Sequence, residues 1–346
     1  MRMSLPFSEW PATDQQMWHD LQRQGGPFDD CGALSHLRQT SLDTYQSAYE
    51  RWLGWLWQEN VATLDAQPVE RATVPRLKAW LESMITVDPA SVAMFLRGAL
   101  RVLQAAGPNN DWSAHKRVGR GLQPAVGRGT PQRKQGRILS SRVLLEAGLR
   151  HAGPEAAAAT TPLGRAKAQR DGTMVAMLAA MPLRRRSFTF LKIGESLLVT
   201  DNALIVVLSE DMTKNGVAWE ATLPEPAVAV LRHYLNETRP FLLNRTGQRH
   251  DFLWVGSGGQ AMSVSYMAKK IPEITERLTG IPIPQHFFRD SAATTLARES
   301  PKAALLISPL LGHAAPGIAE RHYIQAGSVE AGRDYASMMK KRKEQR

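Results

Sequence analysis

The C-terminal part of the chain contains a group of side chains that could act together on a phosphate ester. His286 and Arg289 stand three residues apart, and the run Leu311-Gly312-His313 and then Tyr323 follow them. Residues three apart are neighbours on a helix surface, so the imidazole and the guanidinium share one face. No one of these motifs is specific alone. The ordered set predicts a phosphate-binding site with a tyrosine nucleophile beside it.

A second source of positive charge lies upstream, where Arg184, Arg185 and Arg186 separate two apolar runs, residues 174–183 and 188–193. Because these flanks resemble core segments, we expect at least one of the arginines to emerge at a partly buried site. A cation at such a site needs an anion. A guanidinium suits this task since it stays charged and binds phosphate through two donors.

The elements that position these side chains begin with a helical N-terminal region. Helical spacing predicts helices over residues 41–60, 75–85 and 89–106, with residues 10–21 docked as an additional helix. Tyr45, Tyr49 and Trp52 form an aromatic stripe, which we interpret as core rather than as a platform for stacking bases. The region is therefore predicted to be a compact all-α bundle.

After residue 140 helices alternate with short β-rich runs. Helices are predicted over residues 142–151, 164–180, 226–237, 263–278, 286–299 and 301–310. Strands are predicted over residues 197–199, 204–208 and 217–223, with turns at Asp201-Asn202 and Lys214-Asn215-Gly216. The predicted fold class is mainly α with a small antiparallel β-sheet (α+β).

The predicted domains follow from a change in composition. Residues 1–112 form the N-terminal helical domain, 113–139 a basic interdomain linker, 140–327 the C-terminal domain and 328–346 a basic tail. Glycines and prolines interrupt the linker, and all its charged residues, Arg137 among them, are positive. Such a run favours contact with DNA phosphates over a solvated loop.

Net charge and cysteine content limit which partners and which cellular compartment are expected. The net charge of the 346-residue chain is +11, which predicts a polyanionic partner, nucleic acid first, with a merely basic surface as the alternative. The single cysteine, Cys31, excludes an internal disulfide and a cysteine-based zinc site. The sequence has no signal-peptide pattern and no apolar run near the roughly 18 residues of a membrane span. We therefore expect a cytoplasmic protein without a membrane partner.

Taken in chain order, these motifs resemble the tyrosine recombinase (phage integrase) family. The resemblance covers the second domain, whereas the first resembles the family's core-binding (SAM-like) DNA-binding domain only in position and size. Leu183 and the distance to Leu191 favour Arg184 over its two neighbours. The residues that carry the resemblance are Leu183-Arg184, Lys214, His286, Arg289, Leu311-Gly312-His313 and Tyr323.

The resemblance implies a catalytic role for three of these residues in cutting DNA. Arg184 and Arg289 resemble the two arginines that grip the non-bridging oxygens of the scissile phosphate. Tyr323 resembles the nucleophile that forms a 3′-phosphotyrosine and releases a 5′-hydroxyl. A phenol with a pKa near 10 is a weak nucleophile at neutral pH, so neighbouring cations and a proton acceptor must activate it.

The other three implied catalytic residues move or hold protons. Lys214 resembles the general acid that protonates the leaving 5′-oxygen, His286 the residue that assists proton transfer, and His313 one that hydrogen-bonds the phosphate. Because two arginines and a lysine can supply the charge that Mg²⁺ supplies elsewhere, we expect no metal and no other cofactor. A phosphotyrosine conserves the energy of the phosphodiester, so ATP is not needed.

The sequence departs from the family at two positions and leaves alternatives open. Ser187 stands where many members carry an acid that supports the first arginine, and Pro182 stands where glycine is common. Tyr335 is a rival nucleophile, although its spacing to Met338 and Met339 resembles a packing face. A type IB topoisomerase-like enzyme and a catalytically decayed DNA-binding protein are the alternative functions.

The resemblance also implies the partner and the assembly. Double-stranded DNA is the expected partner, and integration, excision or resolution of a mobile element or chromosome dimer is the expected outcome. We expect a protein that is monomeric in solution and forms a homotetramer on two synapsed sites, with the tail after Tyr323 docking on a neighbouring protomer. The target sequence and the need for accessory proteins stay open.

Overall fold

The computed structural model describes residues 3–26, 29–122, 136–214, 216–299 and 306–311. The chain is divided into two compact units, Met1–Thr130 and Pro131–Arg346, and each has its own hydrophobic core. The predicted fold class, mainly α with a small antiparallel sheet, is confirmed. Among the described helices, none has the length and apolar character that crossing a membrane requires.

The N-terminal unit is a helical bundle around an aromatic core. Tyr49 and Trp52 are fully buried, and the rings of Trp52 and Trp80 meet edge to face at 5.2 Å. This burial confirms that the aromatic stripe is core. The helices of this unit are α1 (Ala12–Gln22), α2 (Gln39–Glu59), α3 (Pro68–Arg71), α4 (Val74–Glu82), α5 (Pro89–Ala106) and α6 (Ser113–Gly121).

Helix α6 corrects the predicted start of the linker. Residues 113–121 were expected to be irregular, but they form a helix that packs against α4 and α5. Trp112, which is buried, anchors its beginning by donating from Nε1 to the Gly107 carbonyl at 2.8 Å. Glycine costs an α-helix only about 1 kcal/mol relative to alanine, so tertiary packing can override it.

A buried ion pair links α1 and α3 inside the same unit. Arg71 donates from Nη1 and Nη2 to the two carboxylate oxygens of Asp14, at 2.9 and 2.8 Å, and both side chains are fully buried. The Tyr49 hydroxyl donates to Asp14 Oδ1 at 2.6 Å. Burial, followed by the charge of Asp14, raises the pKa of Tyr49 well above its usual value. Asp14 thus accepts hydrogen bonds from two buried partners.

The C-terminal unit is built around helix α8 (Pro162–Ala180), which is buried along most of its length. An added Cβ at Gly172 would lie 2.3 Å from the Ala152 nitrogen, so glycine permits the close approach of the segment that follows helix α7 (Ser141–Arg150). The remaining described helices are α9 (Arg185–Thr189), α10 (Ala227–His233), α11 (Arg239–Asn244), α12 (Val264–Thr279), α13 (Gln285–Glu299) and α14 (Ile307–Leu311).

The sheet of this unit is a three-stranded antiparallel meander, β1 (Leu197–Val199), β2 (Leu204–Leu208) and β3 (Trp219–Thr222). Leu198 pairs with Ile205, and Val206 pairs with Ala221. The first two strands match their predicted limits, whereas the third is shorter than the predicted 217–223 because its pairing with β2 runs only from Trp219, opposite Leu208, to Thr222, opposite Ile205. Val217 lies 57% exposed in the connection. The β2–β3 connection is therefore longer than expected.

A buried ionic network in this unit was not foreseen from the sequence. Arg170 donates from Nε and Nη2 to Asp171 Oδ1, at 3.0 and 2.7 Å, and both residues are buried. Lys270 and Arg277 of α12 approach Asp171 Oδ2 at 3.4 and 3.1 Å. Burial raises the pKa of Asp171, but the charges of Arg170 and Lys270 outweigh it and hold that pKa below its usual value.

Candidate active site

Arg184 stands where the chain leaves the core and starts helix α9. It is the residue before the helix, in an extended conformation, between the buried side chains of Leu183 and Phe188. Arg184 is half-buried, whereas Arg185 and Arg186 are exposed. The expectation that one arginine of this run emerges at a partly buried site is confirmed.

Arg289 lies in the second turn of α13, beside the buried Phe287 and Phe288. Its Nη1 donates to the Pro182 carbonyl at 2.9 Å, and its Nη2 donates to the Leu311 carbonyl. Two backbone carbonyls, one just before Arg184 and one in α14, therefore hold the guanidinium. No carboxylate in the described part of the chain forms an ion pair with Arg184 or Arg289.

The two arginines line a single pocket. Burial lowers the pKa of Arg184, and burial together with the nearby charge of Arg184 lowers the pKa of Arg289 to about 10. Both groups stay cationic at neutral pH. The charge of Asp290, the next residue of α13, opposes these effects on Arg289 only in part. The two guanidiniums therefore leave the pocket with net positive charge among the described residues, which is the electrostatic setting that binds an anion. Its other walls include Ser187, Thr213, Val217, Trp219, Leu310 and Leu311.

Lys214 lies on the β2–β3 connection beside this pocket. Its side chain is exposed, and the preceding residue, Thr213, is buried and lines the pocket. Thr213 Oγ1 donates to the Glu210 carbonyl at 3.1 Å, which closes the short 3₁₀ turn Glu210–Met212. The predicted turn lysine thus stands next to a residue that lines the arginine pocket.

The remaining predicted site residues stand apart from the pocket lining or outside the described residues. His286 lies one helical turn before Arg289, is exposed, and contacts the Phe287 ring at 4.5 Å between centroids. It is not among the described residues that line the pocket. His313, Tyr323 and the rival Tyr335 lie outside the described residues. The catalytic roles of all six residues stay predictions.

Two contacts near the site were missed by sequence reasoning. Arg137, assigned to the DNA-contacting linker, donates from Nη2 to the Pro282 carbonyl at 2.6 Å and lies over the Phe287 ring at 5.3 Å. Ser187 Oγ, at the position where the family often has an acid, donates to the Met212 carbonyl at 2.8 Å. Both partners are backbone carbonyls or rings far along the chain, which no local pattern reveals.

A cationic groove lies in the N-terminal unit, between α5 and α6. Its floor is apolar, with Ala93, Leu96 and Leu100. We call the four cations at its rim the α5–α6 cluster. Within the described residues none of the four has an ion pair. They are Arg97, Arg101, Lys116 and Arg120.

The described residues also bear on the question of a metal centre. Among them, no group of three or more His, Cys, Asp or Glu side chains is placed so that it could hold an ion.

Residues 156–328, half of the chain, match the model of the phage integrase family. The match contains all six predicted catalytic residues. No curated protein matches the chain.

Several solved structures resemble the chain. The Tn1549 transposon integrase, in complex with transposon right end DNA, is 14% identical with a TM-score of 0.52, over 92% of this chain and 98% of that one. The XerH site-specific recombinase, bound to a palindromic difH substrate, is 13% identical with a TM-score of 0.49, over 98% and 100%. A lambda integrase dimer bound to a COC′ core site is 16% identical with a TM-score of 0.48, over 84% and 90%. The likeness to the Tn1549 integrase shows a shared fold.

Proposed function

Because the chain belongs to the phage integrase family and is a tyrosine-type site-specific recombinase, we propose that it cuts and rejoins DNA through a 3′-phosphotyrosine on Tyr323. The observation that carries this proposal is the pocket that contains both Arg184 and Arg289, neither of which is hydrogen-bonded to a carboxylate among the described residues. A scissile phosphate would supply the missing negative charge. Neither a metal nor ATP enters the proposed reaction.

The two guanidiniums act on the charge that develops during phosphoryl transfer. Arg184 and Arg289 hold the non-bridging oxygens as the phosphorus becomes pentacoordinate. Since both donors are already in position before the substrate arrives, little reorganisation is needed when the charge grows. The carbonyls of Pro182 and Leu311 occupy both Nη atoms of Arg289. The N–H groups of Arg289 that do not donate to these carbonyls, and the guanidinium N–H groups of Arg184, are available to the phosphate.

The proton movements complete the proposed step. The Tyr323 phenol oxygen forms a bond to phosphorus while the bond to the 5′-oxygen breaks, and Lys214 gives its proton to that leaving oxygen. His286 assists removal of the phenol proton, and His313 donates a hydrogen bond to the phosphate. In the reverse reaction a 5′-hydroxyl attacks the phosphotyrosine and Lys214 accepts the proton, so the same groups reseal the strand.

The α5–α6 cluster supports double-stranded DNA as the partner. Of its four cations on two neighbouring helices, Arg97, Lys116 and Arg120 are exposed and Arg101 is partly exposed, and the net charge of the chain is +11. Exposed lysines and arginines bind DNA by displacing condensed counterions from the phosphates. A protein of the same fold, the Tn1549 integrase, is in complex with transposon DNA. We propose that this cluster contacts the backbone of the bound duplex.

Covalent capture on a nicked suicide duplex tests the proposed chemistry. The wild-type chain should form an adduct in EDTA that survives a denaturing gel. Tyr323→Phe should form none while binding the duplex with nearly unchanged affinity, because the phenol oxygen is the nucleophile. Tyr335→Phe is the matched control and should form the adduct normally. An adduct from Tyr323→Phe, or none from the wild type on any cognate duplex, would overturn the proposal.

A further inference from the structure

Two of the proposed catalytic groups come from elements that are separate in the chain. Arg184 begins helix α9, and Lys214 lies on the β2–β3 connection. General-acid catalysis requires the lysine within hydrogen-bonding reach of the leaving oxygen while the arginine grips the same phosphate. Something must therefore hold the exposed connection at a set distance from α9.

A buried hydrogen bond joins these elements. Ser187 lies three residues after Arg184, in the same short helix, and is only 4% exposed. Its hydroxyl donates to the Met212 carbonyl at 2.8 Å. Met212 ends the 3₁₀ turn Glu210–Met212, and Lys214 follows two residues later. Two residues span at most about 7 Å of backbone, so an anchor at Met212 restricts where Lys214 can lie.

We propose that Ser187 is a positioning residue for Lys214, a role that rests on the proposed function. Helix α9 carries the phosphate-gripping Arg184 at one end and the hydroxyl that holds the lysine connection one turn later. The helix is itself anchored, since Phe188 is fully buried and its carbonyl accepts a hydrogen bond from Trp254 Nε1 at 3.0 Å. Helix α9 thus fixes the distance between the Arg184 guanidinium and the connection that carries Lys214.

The chemistry of the contact explains why serine suits this position. The partner is a carbonyl oxygen, which only accepts hydrogen bonds. An ionised aspartate or glutamate also only accepts, so a carboxylate at position 187 would face the Met212 oxygen without a donor. A serine hydroxyl supplies the donor. The departure from the family pattern is therefore matched to the particular backbone group that lies opposite in this chain.

The exposed residues of the connection make the anchor consequential. Met212 and Thr213 are the inward-facing residues of this segment, whereas Glu210, Asp211 and Lys214 are exposed and Val217 is 57% exposed. The position of Lys214 therefore depends on how Met212 and Thr213 are held. A misplacement of about 1 Å in a reacting group can cost on the order of a hundredfold in rate. Loss of the Ser187 hydroxyl should therefore weaken proton delivery specifically, by roughly tenfold to a hundredfold, while leaving phosphate binding by Arg184 and Arg289 in place.

A substrate that needs no general acid separates this role from a structural one. Ser187→Ala in the full chain would be compared on two suicide duplexes, one with the normal 5′-bridging oxygen and one with sulfur there. A thiolate leaves without a proton. We expect single-turnover cleavage of the oxygen substrate to fall roughly tenfold to a hundredfold, and that of the sulfur substrate to fall less than about threefold.

Thr189→Ala is the matched control. Thr189 lies on the same helix, is 1% exposed, and donates its hydroxyl to the Arg185 carbonyl at 2.7 Å, within the helix rather than to the connection. Loss of the Thr189 hydroxyl should change the cleavage rates of the two substrates equally.

Ser187→Thr retains the donor and should restore the wild-type ratio of the cleavage rates on the oxygen and sulfur substrates. Should Ser187→Ala fail to fold, Ser187→Cys, a weaker donor of similar size, takes its place.

The outcomes distinguish this proposal from the proposed function. If Ser187→Ala or Ser187→Cys slows both substrates equally, as Thr189→Ala does, the positioning role is wrong although the wild type still cleaves. If the wild type forms no covalent adduct with either substrate, the proposed function itself fails. The positioning role is supported if Ser187→Ala slows cleavage of the oxygen substrate but not of the sulfur substrate, and if Lys214→Ala shows the same selectivity.

Discussion

Each unit buries an arginine at least in part, and the two arginines differ in the hydrogen-bond acceptors that surround them. Arg71 in the N-terminal unit is fully buried, and both its Nη atoms pair with Asp14. Among the described residues, Arg289 in the C-terminal unit donates to the carbonyls of Pro182 and Leu311, with Arg184 lining the same pocket. Arg71 thus has a hydrogen-bonded carboxylate, whereas the hydrogen bonds of Arg289 go to uncharged carbonyls and the charge of Asp290 offsets only part of its burial and of the repulsion from Arg184.

The difference separates a structural cation from a functional one. Burying an ion is costly unless a partner of opposite charge compensates it, so a protein without further need of the charge pairs it internally. The C-terminal unit follows this rule elsewhere, because Arg170 is buried against Asp171. Within the described residues, an arginine whose hydrogen bonds go to carbonyls beside a second arginine is thus local to one pocket. Uncompensated positive charge in a pocket is a signature of a functional site.

Arg289→Met should give the largest effect and tests the functional side of this comparison. Single-turnover cleavage should fall about a thousandfold, because a preorganised donor to the transition state is removed. The free energy of unfolding should change by less than about 1 kcal/mol, since the missing hydrogen bonds are offset by removal of an unpaired buried charge. Quench-flow cleavage and urea unfolding measure the two quantities.

Arg186→Met is the control for this experiment, because Arg186 is exposed and not part of the pocket lining. It should cleave nearly as fast as the wild type. A loss of stability in Arg289→Met as large as that expected for the N-terminal pair would mean that Arg289 is structural after all.

Asp14→Ala should give the next largest effect, and we expect it to lower stability while leaving cleavage unchanged, the reverse of Arg289→Met. The change leaves Arg71 buried without a counter-ion and removes the acceptor of the Tyr49 hydroxyl. Unfolding of the N-terminal unit should become easier by about 3 kcal/mol. Cleavage by the folded fraction should be unchanged at saturating DNA. Urea unfolding followed by tryptophan fluorescence reports the change, since Trp52 and Trp80 lie in the same core.

Asp43→Ala, an exposed acid on α2, is the control and should alter stability by less than about 0.5 kcal/mol. Replacing both partners, as Asp14→Leu with Arg71→Met, should recover part of the stability because no charge is then stranded. A stable single variant would show that the buried pair contributes little.

The smallest effect is expected at the α5–α6 cluster, whose charges are neither buried nor paired within the described residues. Arg97→Gln combined with Arg120→Gln should reduce the slope of log affinity against log salt by about 1 for each phosphate that the variant no longer neutralises. Cleavage at saturating DNA should be unaffected, because exposed cations contribute binding rather than transition-state stabilisation. Fluorescence anisotropy at several salt concentrations measures the slope.

Arg23→Gln, an exposed arginine after α1 that does not line this groove, is the control and should leave the slope unchanged. An identical slope in the double variant would remove the cluster from the DNA interface.

The sequence predicted the parts of this molecule that depend on local periodicity. The aromatic spacing of Tyr49 and Trp52 predicted a buried helix face, and the β-rich run 204–208 after the Asp201-Asn202 turn predicted strand β2. The apolar flanks of the arginine run predicted that at least one of its side chains is partly buried, and Arg184 is. These predictions succeed since local spacing and composition determine which face of an element is buried.

The errors concern contacts between residues that are distant in sequence. Glycines 119 and 121 suggested a linker, but packing on α4 and α5 makes that segment helical. The contacts of Arg137 with the Pro282 carbonyl and the Phe287 ring were not foreseen, and the proposed DNA contact of this segment stays a prediction. The Ser187 contact with Met212 depends on the fold in the same way. A hydrogen bond to a remote carbonyl leaves no trace in local composition.

The Pro182 carbonyl beside Arg289 bears on how freely this site can vary. Every amino acid, proline included, contributes the same carbonyl oxygen to the main chain, so the acceptor is independent of the side chain at that position. Proline can therefore replace the more common glycine while the hydrogen bond is kept. Any substitution that fits this buried position therefore keeps the carbonyl that orients Arg289.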